Sequence, residues 1–90
     1  MWFWLVATAK AHATPETIHA RRHAWRAEGK DQQLAGRCRS ASRYVVEGST
    51  PPQVLWLLET DDRNAVNILT GHFGDLWEIT VQEVTPQQIR

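Results

Sequence analysis

The pattern of apolar and polar positions divides the candidate strands of this chain into two kinds. Trp2-Phe3-Trp4-Leu5-Val6-Ala7 and Val54-Leu55-Trp56-Leu57-Leu58 are unbroken apolar runs. The stretch from Leu76 to Val84 alternates instead, with Trp77, Ile79 and Val81 facing one way and Glu78, Thr80 and Gln82 the other. Successive strand side chains point to opposite faces, so a continuous apolar run requires cover on both faces of a sheet. A further strand falls within Arg37 to Glu47, centred on Arg43-Tyr44-Val45-Val46-Glu47.

Helical spacing fills the intervals. Thr14-Pro15-Glu16-Thr17 is a helix start: Thr14 can cap, Pro15 suits the first position, and Glu16 complements the positive end of the helix dipole. This helix is predicted to reach at least Glu28, and as far as Leu34 if Gly29, its weak point, is tolerated. Ile18 and Trp25 share one side of it and Ala20, Ala24 and Ala27 another, with Arg21, Arg22 and Arg26 between them on long aliphatic stems. Asp61-Asp62 opens a second helix, in which Ala65, Val66, Ile68, Leu69 and Phe73 form the apolar side and which Gly71 and Gly74 end. The loop Gly48-Ser49-Thr50-Pro51-Pro52 joins the second and third strands as an antiparallel hairpin.

The element order is therefore β-α-β-β-α-β, in one domain spanning residues 1–90. With right-handed crossovers it gives an α+β, ferredoxin-like fold: a four-stranded antiparallel sheet with two helices on one face. Strands one and three lie in the centre of that sheet, strands two and four at its edges. The unbroken apolar runs fall on the central strands. Two helices cover only one sheet face, so the other is expected to meet a second copy of the chain, in a sheet-to-sheet homodimer or a higher assembly of dimers.

Composition sharpens this picture. Ninety residues support a modest core, and five Trp supply large surfaces suited to cores, interfaces and ligand pockets. The formal net charge of zero argues against a nonspecific nucleic-acid binder. The charge is unevenly spread: residues 1–45 carry eight Lys/Arg and three Asp/Glu, whereas residues 46–90 carry two Lys/Arg and seven Asp/Glu. Faces of opposite sign that attract one another, within or between subunits, account for this. Cys38 is the only cysteine, which rules out an intrachain disulfide and fits a reducing compartment. The apolar stretch after Met1 is too short to span a bilayer and lacks the positive start of a signal peptide. It reads as the first strand of a cytoplasmic protein that contacts no membrane.

Two segments, Leu57-Leu58-Glu59-Thr60-Asp61-Asp62-Arg63-Asn64-Ala65-Val66 and His72-Phe73-Gly74-Asp75-Leu76-Trp77-Glu78-Ile79, run from strand through acidic cap, short helix and aromatic turn to closing strand. With the element order, they make nearly the whole chain resemble the dimeric α+β barrel superfamily, whose members include muconolactone isomerases and cofactor-free antibiotic-biosynthesis monooxygenases. The resemblance is closest to small uncharacterised members. It implies two sheets packed face to face and ligands held between a sheet and its own helices. No catalytic motif is matched residue by residue, so no catalytic role is carried over.

Candidate chemistry concentrates in Thr70-Gly71-His72-Phe73-Gly74-Asp75-Leu76-Trp77. Glycines flank His72 and Phe73 and permit a tight turn. His72 is the catalytic candidate, an acid–base group near neutrality that Asp75 would orient, and Phe73 and Trp77 would wall a planar ligand. The competing reading makes His72 a helix C-terminal residue, Phe73 core and Asp75 a turn residue. Arg43 and Tyr44 have opposite orientations on the second strand, so one reaches the cavity and the other the solvent or the dimer seam; Tyr44 is the binding candidate. His12, after the first strand, is placed at the pocket mouth. His19 and His23 share a helix face, but no third ligand accompanies them and Arg21 and Arg22 lie between, so no metal is expected. Arg37 and Arg39 would lower the pKa of Cys38, although without a paired His an ordinary thiol is the expectation.

The leading reading is a small-molecule-binding protein for an aromatic or apolar metabolite. If it is an enzyme, it would be an isomerase or monooxygenase that needs no cofactor. The alternative is a non-enzymatic structural or accessory subunit whose Trp residues serve assembly. A filled pocket would favour assembly, and an open one with convergent polar groups would favour binding.

Overall fold

The computed structural model describes residues 1–89. Its elements are β1 (Trp2–Ala9), α1 (Pro15–Ala27), α2 (Lys30–Arg37), β2 (Ser40–Val45), β3 (Gln53–Glu59), α3 (Asn64–Phe73) and β4 (Trp77–Val84). The four strands form one antiparallel sheet in the order β2-β3-β1-β4. The architecture is ferredoxin-like, with β1 and β3 central as the apolar runs require.

The first helical region is two helices rather than one. Gly29 adopts φ 73°, a left-handed conformation that ends α1 and redirects the chain into α2. Thr14 caps α1 with a capping box: its side chain accepts from the Thr17 backbone N–H, and the Thr17 hydroxyl accepts from the Thr14 N–H at 2.9 Å. At the start of α3 the N-cap position is Arg63, which makes no side-chain capping bond, and the preceding Asp62 Oδ1 accepts from the Asn64 N–H at 2.9 Å. Helix α3 runs through Gly71 and stops at Gly74, whose N–H bonds to the Thr70 carbonyl. A side chain at Gly74 would collide with that carbonyl.

Strand pairing sorts the two sheet faces. Phe3, Leu5, Ala7 and Ala9 of β1 and Val54, Trp56 and Leu58 of β3 are buried on the helix face. They pack with Leu34, Ala65, Val66, Leu69, Phe73, Leu76 and Trp77 into one core. Trp2, Trp4, Val6, Leu55 and Leu57 point to the opposite face and are only half-buried. Trp4 sits opposite Leu57 and Val6 opposite Leu55, so they form a continuous apolar patch on the face away from the core. On β4, Trp77 is buried, Ile79 half-buried and Val81 exposed, all on the helix-facing side. The helical layer thus thins along this edge strand.

The charge asymmetry resolves into ion pairs between the basic first half and the acidic second half. Arg21 pairs with Asp75, Arg37 with Asp62 and Arg39 with Asp61. Among the described residues, no helix is long and apolar enough to cross a membrane.

Candidate ligand cavity under the helices

A cavity of about 280 Å³ lies between the helices and the sheet. Its inner wall is apolar, built from Val54, Trp56 and Leu58 of β3, Leu69 and Phe73 of α3, Trp77 of β4, Leu34 of α2 and Trp25 of α1. The aromatic members contact one another. The Phe73 ring stacks against Trp56 at 5.7 Å, and Trp25 tilts over Phe73 at 5.1 Å. Such a strip gives a planar ligand broad contact area with few rotatable groups to immobilise.

The mouth of the cavity is polar. Arg22 and Arg26, four residues apart on α1, face Arg43 on β2, and Asp31 and Ser42 complete the rim. The pKa of Arg43 is lowered from its ordinary value, first by desolvation and then by the positive charges of Arg22 and Arg26. Among the described residues, no Asp or Glu forms an ion pair with any of these three guanidiniums.

The positions selected from the sequence divide between cavity and scaffold. Phe73 and Trp77 line the cavity. His72 is buried, yet its ring points away from the lining into a bonded network. Its Nε2 lies 2.9 Å from the Arg21 carbonyl, to which it donates, and its Nδ1 accepts from Lys30 Nζ at 3.2 Å. The Trp25 and Phe73 rings stand at 5.2 and 4.6 Å. Both ring nitrogens are engaged, so His72 as placed has none free for a ligand.

Asp75 does not orient His72. Its carboxylate is held by the Arg21 guanidinium, with Nη2 to Oδ2 at 2.9 Å, and this bond lowers the Asp75 pKa to about 2. Tyr44 is opposite Leu55 on the open face of the sheet, and it is the neighbouring Arg43 that reaches the cavity. His12 is exposed in the turn after β1 and is absent from the cavity wall.

Cys38 is half-buried and its thiol is pushed up, chiefly by desolvation and further by the Asp62 charge, while Arg37 and Arg39 pair with Asp62 and Asp61. The described residues hold no group of three His, Cys, Asp or Glu side chains placed to share a metal ion.

The sequence does not single out Arg22 and Arg26 at the mouth or Trp25 within; of the pair Arg43 and Tyr44 it leaves open which reaches the cavity, and the structure places Arg43 there. Their signal was present: Arg22 and Arg26 have the i, i+4 spacing of one helix face, and Arg43 has the inward parity of β2.

No protein-family profile matches this chain, and no curated protein matches it by sequence. Solved structures do match across nearly the full length. A protein of Arabidopsis thaliana superposes with a TM-score of 0.57 at 13% identity, over 99% of this chain and 97% of its own. An antibiotic biosynthesis monooxygenase gives a TM-score of 0.53 at 16% identity, over 96% of this chain and 100% of its own. The 5-chloro-2-hydroxyhydroquinone dehydrochlorinase of Burkholderia phenoliruptrix AC1100, solved with 2,5-dihydroxybenzoquinone, gives 0.56 at 12% identity, over 94% of each chain. The chain shares the ferredoxin-like α+β fold of these structures, an antibiotic biosynthesis monooxygenase among them.

Proposed function

We propose that this chain binds a small aromatic or apolar metabolite in the cavity between its helices and its sheet, and that two copies associate through the open sheet face. One observation carries the reading: the cavity of about 280 Å³ with its wall of Trp25, Trp56, Phe73 and Trp77. Its size falls just below the range of pockets that take drug-sized ligands, roughly 300–1,000 Å³, and so suits a small one. An assembly subunit has no use for such a space, since filling it with side chains would strengthen the core. The dehydrochlorinase solved with 2,5-dihydroxybenzoquinone supports the reading by example, as one protein of this fold holding a small ring.

If the bound molecule is also transformed, the chemistry fits a cofactor-independent isomerase or monooxygenase acting on an aromatic or quinoid substrate. His72 is not assigned a role in it, because both of its ring nitrogens serve the scaffold. The proposed self-association covers Trp2, Trp4, Val6, Leu55 and Leu57, which the helices of the same chain leave half-buried.

The test is a thermal-shift and fluorescence screen of one- and two-ring aromatic compounds against the full chain, repeated on Leu69→Trp, which fills the cavity from α3. Compounds that raise Tm and quench Trp fluorescence in the wild type, and not in the filled variant, support the reading. A screen without binders, or binders indifferent to the filling, ends it.

A further inference from the structure

Four of the described arginines have a carboxylate within ion-pair distance: Arg21 with Asp75, Arg37 with Asp62, Arg39 with Asp61 and Arg63 with Glu83. The other three, Arg22, Arg26 and Arg43, have none, and all three line the aromatic-walled cavity. Each alone would be an ordinary solvated side chain. Two come from α1 and one from β2, and the positive charges of Arg22 and Arg26 act on Arg43 across the mouth. Like charges held together beside an apolar wall are unfavourable unless an anion joins them.

From this we infer that the ligand is an aromatic carboxylic acid, its ring against Trp25, Phe73 and Trp56 and its carboxylate on the arginines at the mouth. The inference rests on the cavity being a ligand site and adds the charge of what enters it. Guanidinium forks match a planar carboxylate with paired N–H donors, at partial desolvation, where charge-assisted bonds are strongest. Asp31 on the same rim raises the cost of a dianion and so favours a carboxylate over a phosphate ester. The positive mouth would also draw anions in along the field, an effect that salt weakens.

Calorimetric titration of the full chain with 1-naphthoate, its uncharged amide 1-naphthamide and 1-naphthyl phosphate tests this. The acid should bind about tenfold or more tighter than the amide at low ionic strength, a ratio set by charge-assisted bonding. That preference should shrink as salt is added. It should largely disappear in Arg43→Gln and in the double variant Arg22→Gln/Arg26→Gln. These arginines hold no ion pair in the fold, so the variants should keep the wild-type circular dichroism spectrum and a Tm at or above the wild type's, and they should weaken acid binding far more than amide binding. Equal binding of acid and amide overturns the inference while leaving the cavity reading in place. An acid preference that survives all three substitutions overturns it too, as does tighter binding of the phosphate. If no probe binds, the cavity reading fails and the inference fails with it.

Discussion

Arg21 and His72 bond each other twice. The His72 ring donates through Nε2 to the Arg21 carbonyl at 2.9 Å, and the Arg21 guanidinium donates back to the His72 carbonyl at 2.6 Å. The two residues are 51 positions apart, so this exchange fastens α1 to the end of α3. The same guanidinium then reaches Asp75, at the entry to β4. Trp25, one turn further along α1, is thereby held over Phe73, and that contact forms the back of the cavity. The histidine that looks catalytic in the sequence is a fastener in the structure, and the cavity depends on it indirectly.

His72→Ala should therefore act on stability. It removes a buried ring and leaves the Arg21 carbonyl without its donor, for which the expected loss is about 2–4 kcal/mol. Urea unfolding followed by circular dichroism measures it. A loss well under 1 kcal/mol would show that the Arg21 exchange contributes little.

The Arg21–Asp75 pair gives a pH dependence of defined sign. An unfolded Asp carboxyl titrates near ~3.9, whereas in the fold the Arg21 bond holds Asp75 at about 2. Between those values the unfolded chain binds the extra proton, so the stabilisation is complete above about pH 5 and drains away as pH falls toward 2. Asp61 and Asp62 are lowered as well, the first mainly by Arg39 and the second by the Asn64 N–H and then Arg37, so they add to the same acid limb. Asp75→Asn should lower Tm at pH 7 and converge with the wild type near pH 2. All three carboxylates are solvent-exposed, so each effect should be modest and should weaken in high salt. Parallel Tm curves for the two proteins from pH 7 to 2 would contradict the pairing.

The sheet was readable from the sequence because its evidence is periodic. The unbroken runs at Trp2 and Val54 separate central from edge strands, and the parity of Trp77, Ile79 and Val81 assigns their face. The break between α1 and α2 was half-visible as Gly29, since composition shows that a helix is weak there without showing that φ turns positive. The site was less readable, because its members are brought together by three helices and the sheet. Phe73 and Trp77 were found through their local turn. Asp75 was matched to His72 by nearness in sequence, and a guanidinium 54 positions away took it instead. Arg22, Arg26 and Arg43 look like solvent-facing charges one at a time, and their convergence exists only once α1 lies across β2.

Gly29 offers a test of the helix break. No atom lies within 4 Å of where a side chain would project, so Gly29→Ala meets no collision and its cost is the left-handed backbone alone, φ 73°. The expected loss is about 1 kcal/mol, measured by denaturant unfolding with an unchanged m-value. A neutral or stabilising result would mean that α1 and α2 can run on as one helix, and the position of Leu34 at the cavity would need revision.

The sharpest test of the proposed association uses neighbours on β3. Leu57 and Leu58 are adjacent in sequence and equally apolar, and the sheet turns them to opposite faces. Leu58 is fully buried under the helices, whereas Leu57 lies beside Trp4 on the open face. Leu57→Glu should leave the single-chain fold standing, since the new carboxylate can reach water. It should also abolish association, because in a dimer the same charge would be buried without a partner. Leu58→Glu should unfold the chain outright for the same reason, whatever the oligomeric state. Sedimentation analysis at micromolar concentration, with circular dichroism alongside, separates these outcomes. The expected pattern is a dimeric wild type, a folded monomeric Leu57→Glu and an unfolded Leu58→Glu. A wild type that is monomeric and well folded would show that the patch formed by Trp2, Trp4, Val6, Leu55 and Leu57 serves some purpose other than self-association.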